Sequence, residues 1–301
     1  MTLGSSFSFV RRRVVWFVRD RFARRVVVRE VQGVQMVLPW SHRLPDYAGK
    51  GSIYGQNLVE LARLLAESGP LTVLDVGANV GDSTLQILNA ADGTVLCVEA
   101  DKYYLDFLHR NVDSDPRVTV VESLLAVDDA AERTTAVRSG GTTRFVEGSS
   151  GLADGVDAMP SISPARLRAS QPAFDRMRLV KSDTDGYDAA LIPVIAQAWS
   201  DSRPVLFFEY DPYLTRLAGY DPLELWTTLA DLGYTQAAVW LNNGNDVGRM
   251  TGAQVAARSG ELEGFNPKRP GTRAYWDIAI VHDEDAAGLA VLDRLMPPAE
   301  S

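Results

Sequence analysis

Among 301 residues there is one cysteine and there are only three histidines, which leaves no material for disulfides, thiolate clusters or an imidazole-rich metal centre. Cys97 falls inside an apolar run and is expected to pack in the core rather than react, a usage compatible with a reduced, cytoplasmic setting. An excess of positive charge is also missing. The formal net charge of −9 argues against a nucleic-acid partner, which would need a basic face to displace phosphate counterions. No apolar run is long enough to cross a bilayer, and the first residues lack the unbroken apolar stretch of a signal peptide, so a soluble chain is expected. No internal repeat is visible.

What is present is a 46% hydrophobic chain, enough for one large α/β core with additions. Its charge is uneven. Residues 1–30 hold eight arginines against Asp20 and Glu30, a net +6, which leaves −15 for the remainder. Val10, Val14, Phe17 and Val18 would share one side of a helix, with Arg21 and Arg25 further along it. A solvated arm or a subunit contact is the plain reading; peripheral contact with an anionic membrane or a lipid-linked substrate is the alternative. Arg25–Val31 and Val34–Leu38 flank Gln32-Gly33 and read as a β-hairpin closed by Pro39. Arm and hairpin together make residues 1–50. Residues 51–301 form the main domain, with a Gly- and Asn-rich insertion at about 242–273.

The organising stretch is Leu71-Thr-Val-Leu-Asp75-Val-Gly77-Ala-Asn79-Val-Gly81-Asp82-Ser83-Thr. An apolar run breaks at a glycine-bearing turn and resumes as a helix, the form of a buried parallel strand feeding a crossover. Gly77 and Gly81 let the backbone bend sharply and a ligand come close. Glu99 closes the next strand, and an acidic residue about twenty positions beyond such a turn usually accepts hydrogen bonds from ribose hydroxyls. A dinucleotide fold would want G-x-G-x-x-G. Here the turn reads G-A-N-V-G between Asp75 and Asp82, and acidic flanks repel a diphosphate and suit a cation. S-adenosylmethionine, with a sulfonium, an ammonium and no phosphate, is the nucleoside that fits.

Strand and helix then alternate: Leu71–Val76, helix 82–90, Thr94–Glu99, helix 102–111, Val118–Glu122, Met177–Ser182, Pro204–Phe208 and Gln236–Leu241. Such alternation means a doubly wound, mostly parallel sheet with its site at the carboxyl ends of the strands. The polar and aromatic segment before the first of these strands offers Tyr54 and Asn57 as acceptor-site candidates. Residues 133–147 read as a hairpin about Gly140-Gly141, residues 148–164 as a mobile loop over the site, and Tyr275–Val281 as a final antiparallel strand near the sheet edge.

Leu74-Asp-Val-Gly-Ala-Asn-Val-Gly-Asp-Ser83, Val180-Lys-Ser-Asp-Thr-Asp-Gly-Tyr-Asp188 and Phe207-Phe-Glu-Tyr210 together resemble the FkbM-type S-adenosylmethionine-dependent methyltransferases, over roughly residues 52–241. In that family the second motif usually reads K-I-D-V-E-G-x-E; here Ser182 stands for an apolar residue, and Asp185 and Asp188 stand for glutamates. The resemblance implies a seven-stranded Rossmann-like class I methyltransferase fold and O-methylation of a hydroxyl on a sugar, glycolipid or secondary metabolite. It further implies that Gly77, Asn79 and Gly81, with Asp82 and Ser83 in the same turn, contact the methionine part of the cofactor. Asp75 would organise the loop and reach the cofactor's ammonium through water, and Glu99 would hold the ribose.

Methyl transfer is an in-line displacement, and an unactivated hydroxyl gains from a base that receives its proton. Asp183 is the expected base or orienting acceptor, assisted by Glu209 and Asp185; a magnesium ion held by these three is an alternative. Asp188, at a helix start, reads as a cap. His109 reads as a surface residue, while His42 and His282 stay open as bases. Two other functions remain open: a nucleotide-dependent oxidoreductase on a related fold, and a non-catalytic S-adenosylmethionine-binding protein. The sequence leaves the acceptor and the oligomeric state undetermined.

Overall fold

A computed structural model of the chain describes residues 15–22, 25–128, 134–139, 142–147, 160–262 and 275–297. Its centre is an eight-stranded sheet in the order β5-β4-β3-β10-β11-β14-β12-β13. These strands are β3 (Leu71–Val76), β4 (Gly93–Glu99), β5 (Val118–Glu122), β10 (Leu179–Ser182), β11 (Val205–Tyr210), β12 (Tyr234–Leu241), β13 (Asp246–Thr251) and β14 (Trp276–His282). The first five in spatial order run parallel, and β14 enters antiparallel between β11 and β12. This is the doubly wound, Rossmann-like arrangement expected, with two corrections. The final strand is not at the edge but inside the sheet, where every residue of Trp276–Val281 except Asp277 is buried. Seven strands become eight because part of the segment read as an insertion, Asp246–Thr251, pairs with β12.

The local chemistry explains the elements. β3 is apolar nearly throughout and covered on both faces, as a central parallel strand must be. Helix α1 (Gln56–Leu65) buries Leu58, Leu61, Ala62 and Leu65, which recur at the i, i+3, i+4, i+7 spacing of one helical face. With α2 (Asp82–Ala90), α3 (Lys102–Val112) and α9 (Ala286–Leu295) it covers one face of the sheet. The other face carries α4 (Pro164–Ser170), α5 (Asp188–Ala198), α7 (Glu224–Asp231) and α8 (Gly252–Arg258); α6 (Pro212–Leu217) follows β11. Each fully buried leucine or isoleucine in these layers contributes about 1.5–3 kcal/mol.

The N-terminal hairpin β1 (Val26–Val31) and β2 (Val34–Pro39) turns at Gln32-Gly33, whose φ values of 49° and 86° are the positive pair a tight hairpin turn requires. It seats Val31, Met36 and Leu38 against Tyr104 and Phe107 of α3. Asn111 fixes it there, accepting from the Val37 N–H (2.7 Å) and donating to the Val37 and Val80 carbonyls (3.0 and 2.8 Å). β7 (Thr134–Ser139) and β8 (Thr142–Glu147) pair antiparallel, as the 133–147 reading requires, with Gly140 and Gly141 outside the described residues. The loop expected over 148–164 is not all loop. Residues 148–159 lie outside the described residues, but β9 (Ser161–Ile162) pairs with β6 (Leu124–Leu125), and Ser163 caps α4.

Candidate functional site

The chain leaves β3 for β4 on one side and returns at β10 on the other, so the carboxyl ends of β3 and β10 form the switch point where open α/β sheets bind ligands. Gly77 joins the two. It has φ 66°, and a β-carbon there would stand 2.2 Å from the Asp183 carbonyl oxygen. The glycine therefore serves close contact between two strand ends as much as ligand access. Gly81 (φ 85°) serves packing, since its β-carbon would meet Leu108 Cδ1 at 2.9 Å.

Asn79, at φ 53°, turns its backbone N–H onto Glu99 Oε2 (2.8 Å), while Glu99 Oε1 accepts from the N–H groups of Ala100 and Asp101 (2.9 and 2.7 Å). Three backbone donors thus fix this carboxyl group. Its pKa still rises, because burial outweighs them. His42 Nδ1 accepts from the Leu44 N–H (3.2 Å), which leaves Nε2 protonated and facing Asn79 Oδ1 (3.2 Å). Burial lowers the imidazole pKa to about 4, with the Asn79 contact opposing. A neutral ring whose lone pair is already used orients Asn79 and is no base.

Behind the turn lies a buried ion pair. Lys181 Nζ sits 3.1 Å from Asp75 Oδ1 and donates to the carbonyls of Gly77 (3.0 Å) and Val76 (3.3 Å). Thr84 Oγ1 donates to Asp75 Oδ2 (2.7 Å). Burial alone would discharge the ammonium, but Asp75, Asp183 and Asp82 more than offset it and hold Lys181 protonated beyond its ordinary range. The pairing follows from register, which places Cys97, Asp75, Lys181 and Phe207 in one row across the sheet. Asp75 is wholly buried, and its charge is met by Lys181. The acids at the strand ends therefore stand in the row two residues further out, where Glu99, Asp183, Glu209 and Asp277 follow Cys97, Lys181, Phe207 and its partner Ala279.

That row opens into a cavity of about 1040 Å³, at the upper end of the roughly 300–1,000 Å³ usual for small-molecule sites. Among the described residues seven carboxyl groups line it (Asp82, Glu99, Asp128, Asp183, Asp185, Glu209 and Asp277) against two basic side chains, Arg43 and Lys181. Lys181 is committed as described, and Arg43 lies over the Trp16 ring and beside Asp20. Glu209 and Asp277 are direct cross-strand partners. Asn57 Nδ2 donates to Asp277 Oδ2 (2.8 Å). Burial pushes Asp277 up to about 7, with Asn57 pulling down and Asp183 pushing further up. Asp82 rises to about 6, again through burial, opposed by Lys181. Among the described residues no group of three His, Cys, Asp or Glu side chains is placed to hold a metal ion.

The cavity brings together Gly77, Asn79, Asp82, Ser83 and Glu99 with Asp183, Asp185, Glu209, Tyr54 and Asn57. Asp75 and Gly81, expected among the cofactor contacts, do not line it; they hold the turn from behind. Asp188, expected as a helix cap, is the first residue of α5 and makes no capping bond to it; its carboxyl group instead accepts from Ser182 Oγ (2.6 Å) and the Thr184 N–H (3.1 Å) in the preceding segment, so the two departures at 182 and 188 answer each other. His282 ends β14 at the end of the strands away from the cavity, packed on Gly233 and Tyr234. His109 is a surface residue on α3 between Asp113 and Glu122.

Sequence reading missed Lys181 and Asp277, and also Tyr275, which lines the same cavity. Lys181 stood inside a quoted motif, and an ammonium-bearing residue in a buried strand was itself a signal. Asp277 gave one too, as the single acid in an otherwise apolar strand.

No family model matches the chain, and no curated protein does. Among solved structures it is similar to precorrin-6y C5,15-methyltransferase from Geobacter metallireducens GS-15 (14% identity, 75% of this chain and 86% of that one, TM-score 0.37). It is similar also to ribosomal protein L11 methylase from Lactobacillus delbrueckii subsp. bulgaricus (14%, 75% and 77%, TM-score 0.38). A third is the N-methyltransferase NodS from Bradyrhizobium japonicum WM9 (10%, 76% and 96%, TM-score 0.39). Similarity of this extent assigns neither an activity nor a substrate.

Proposed function

We propose that the chain is an S-adenosylmethionine-dependent O-methyltransferase acting on a hydroxyl of a sugar, glycolipid or secondary metabolite. One observation carries the reading: a single acid-lined cavity runs from the Gly77–Asn79 turn and Glu99 to Asp183 and Asp277, with both of its basic groups already engaged. Among the described residues a phosphorylated nucleotide finds no uncommitted cation there, whereas a ligand bearing a sulfonium and an ammonium finds opposite charge. The residues present fit such a cofactor. Glu99, fixed by three backbone N–H groups, keeps one lone pair, on Oε2, for a ribose hydroxyl, and the turn at Gly77, Asn79, Asp82 and Ser83 faces the cationic end. When bound, the cofactor supplies an electrophilic methyl carbon on sulfur.

The chain's own task is to hold an acceptor oxygen in line and take its proton. Asp183, at the tip of β10 against the turn, orients the hydroxyl, and Glu209 and Asp185 bind its neighbours. Asp277 receives the proton, because a carboxyl group titrating near 7 is balanced between taking a proton and releasing it to water. Asn57 holds one oxygen of Asp277 and leaves the other for the acceptor.

Calorimetry with S-adenosylmethionine, its demethylated product and NADH tests the cofactor. The sulfonium compound and its product should bind and NADH should not; tight NADH binding with no response to the sulfonium compound would end the reading. For the chemistry, Asp277→Asn should cut turnover by about 10²–10⁴ with cofactor affinity nearly unchanged.

A further inference from the structure

Among the described residues the exposed large apolar side chains concentrate in one strip, the first helix and first strand. Of eleven large hydrophobic side chains exposed among the described residues, six lie within residues 15–28: Val15, Phe17, Val18, Phe22, Val26 and Val28. Phe17 is 73% exposed and Val28 58%. The short helix over 15–21 turns Trp16 and Arg19 inward. Arg19 donates to Asp46 (2.8 and 2.9 Å), to the Trp40 carbonyl (2.7 Å) and to the His42 carbonyl, and Trp16 Nε1 donates to Asp46 Oδ2 (3.0 Å). Those bonds fix the rotation of the helix, so Phe17, Val18 and Arg21 project away from the protein. Alternation along β1 does the same for Val26 and Val28, while Val31 is buried under the hairpin.

Two further facts identify the occupant. The strip belongs to the one strongly basic part of the chain, residues 1–30 at net +6, in a molecule whose remainder carries −15. Near an anionic surface such a molecule is drawn in basic end first and held off elsewhere. Apolar side chains interleaved with arginine suit the boundary between headgroups and acyl chains. The strip is also tied to the cavity. The helix 15–21 is bound to the segment Trp40–Asp46, and within it His42 and Arg43 line the cavity, as does the neighbouring Tyr47.

We propose that the surface formed by helix 15–21 and the outer side of β1 docks on an anionic lipid bilayer and holds the rim of the cavity at headgroup level. The acceptor would then be a hydroxyl carried on a lipid or a lipid-linked glycan. This last step rests on the methyltransferase reading, whereas the docking itself does not.

The test is co-sedimentation of the full chain with vesicles of phosphatidylglycerol and phosphatidylcholine, without cofactor. Wild type should sediment with mixed vesicles and be released in 1 M salt, where screening shortens to about 3 Å. The Phe17→Asp/Phe22→Asp variant should bind at least about tenfold more weakly, and Arg21→Glu/Arg25→Glu should lose the preference for anionic vesicles. Circular dichroism and cofactor calorimetry of both variants should match wild type, which separates lost docking from lost folding. Failure of wild type to sediment would overturn the proposal, as would equal binding by wild type and both variants. A chain dimeric by light scattering that becomes monomeric in Phe17→Asp/Phe22→Asp and ignores vesicles would assign the strip to self-association instead. Failed sedimentation alongside intact cofactor binding would sink the docking alone and leave the methyltransferase reading standing.

Discussion

Replacing Lys181 by methionine keeps an unbranched side chain one atom shorter and removes the charge. It leaves the Asp75 carboxyl group, with no exposed surface, facing apolar strands with only the Thr84 hydroxyl for company. It also strips donors from the carbonyls of Val76 and Gly77. Breaking one side of a buried ion pair costs about 3–5 kcal/mol, most of it the penalty of the abandoned charge. With a denaturant slope of about 3 kcal/mol per molar urea, the unfolding midpoint should fall by about 1–1.7 M. Adding Asp75→Asn removes that charge, so the double variant should regain more than half of the loss and show a coupling of about 2 kcal/mol or more. Urea unfolding of wild type, both single variants and the double variant, followed by tryptophan fluorescence, measures this. Losses that simply add, or a double variant worse than Lys181→Met alone, would refute the assignment of Lys181 and Asp75 as a mutually dependent pair.

Gly77→Ala should weaken cofactor binding and cost about 1–3 kcal/mol in urea unfolding, because a β-carbon 2.2 Å from the Asp183 carbonyl must push the two strand ends apart; unchanged affinity by calorimetry would show that the turn tolerates the separation. Asp277 titrates near 7 when folded, well above its unfolded value, so the native state binds the extra proton. Its stabilising contribution is complete below about pH 4 and is lost as pH rises towards and through 7, whereas catalysis needs the unprotonated form. Turnover should therefore rise with pH to a plateau above about 7 while stability falls over the same window, and Asp277→Asn should flatten both profiles; a turnover profile that kept its inflection in Asp277→Asn would place the base elsewhere.

The order of elements was legible because it rests on local signals. An apolar run ending in glycine, then an amphipathic stretch, can be recognised without knowing what lies beside it, and β3, α2, β4 and β11 all stand close to where periodicity put them. The final strand was legible as a strand but not as an interior one, since nothing in Trp276–His282 says which neighbours it inserts between. β13 was hidden for a related reason: Asn242-Asn-Gly-Asn245 is turn chemistry, and it masked a strand that needs β12 for support.

What the sequence determined by itself was the chemistry of the turn, its acidic company and the asymmetry of charge between the first thirty residues and the rest, because composition and spacing survive any fold. Which acids face a ligand was decided only by the tertiary structure. Register set Lys181 beside Asp75 and removed that pair from the cavity's charge, and the antiparallel insertion of β14 brought Asp277 opposite Glu209 and onto Asn57, 220 residues earlier in the chain. Burial then altered what those groups do. A carboxyl group's proton affinity depends on the dielectric and the charges around it, and these exist only once distant segments of the chain have met.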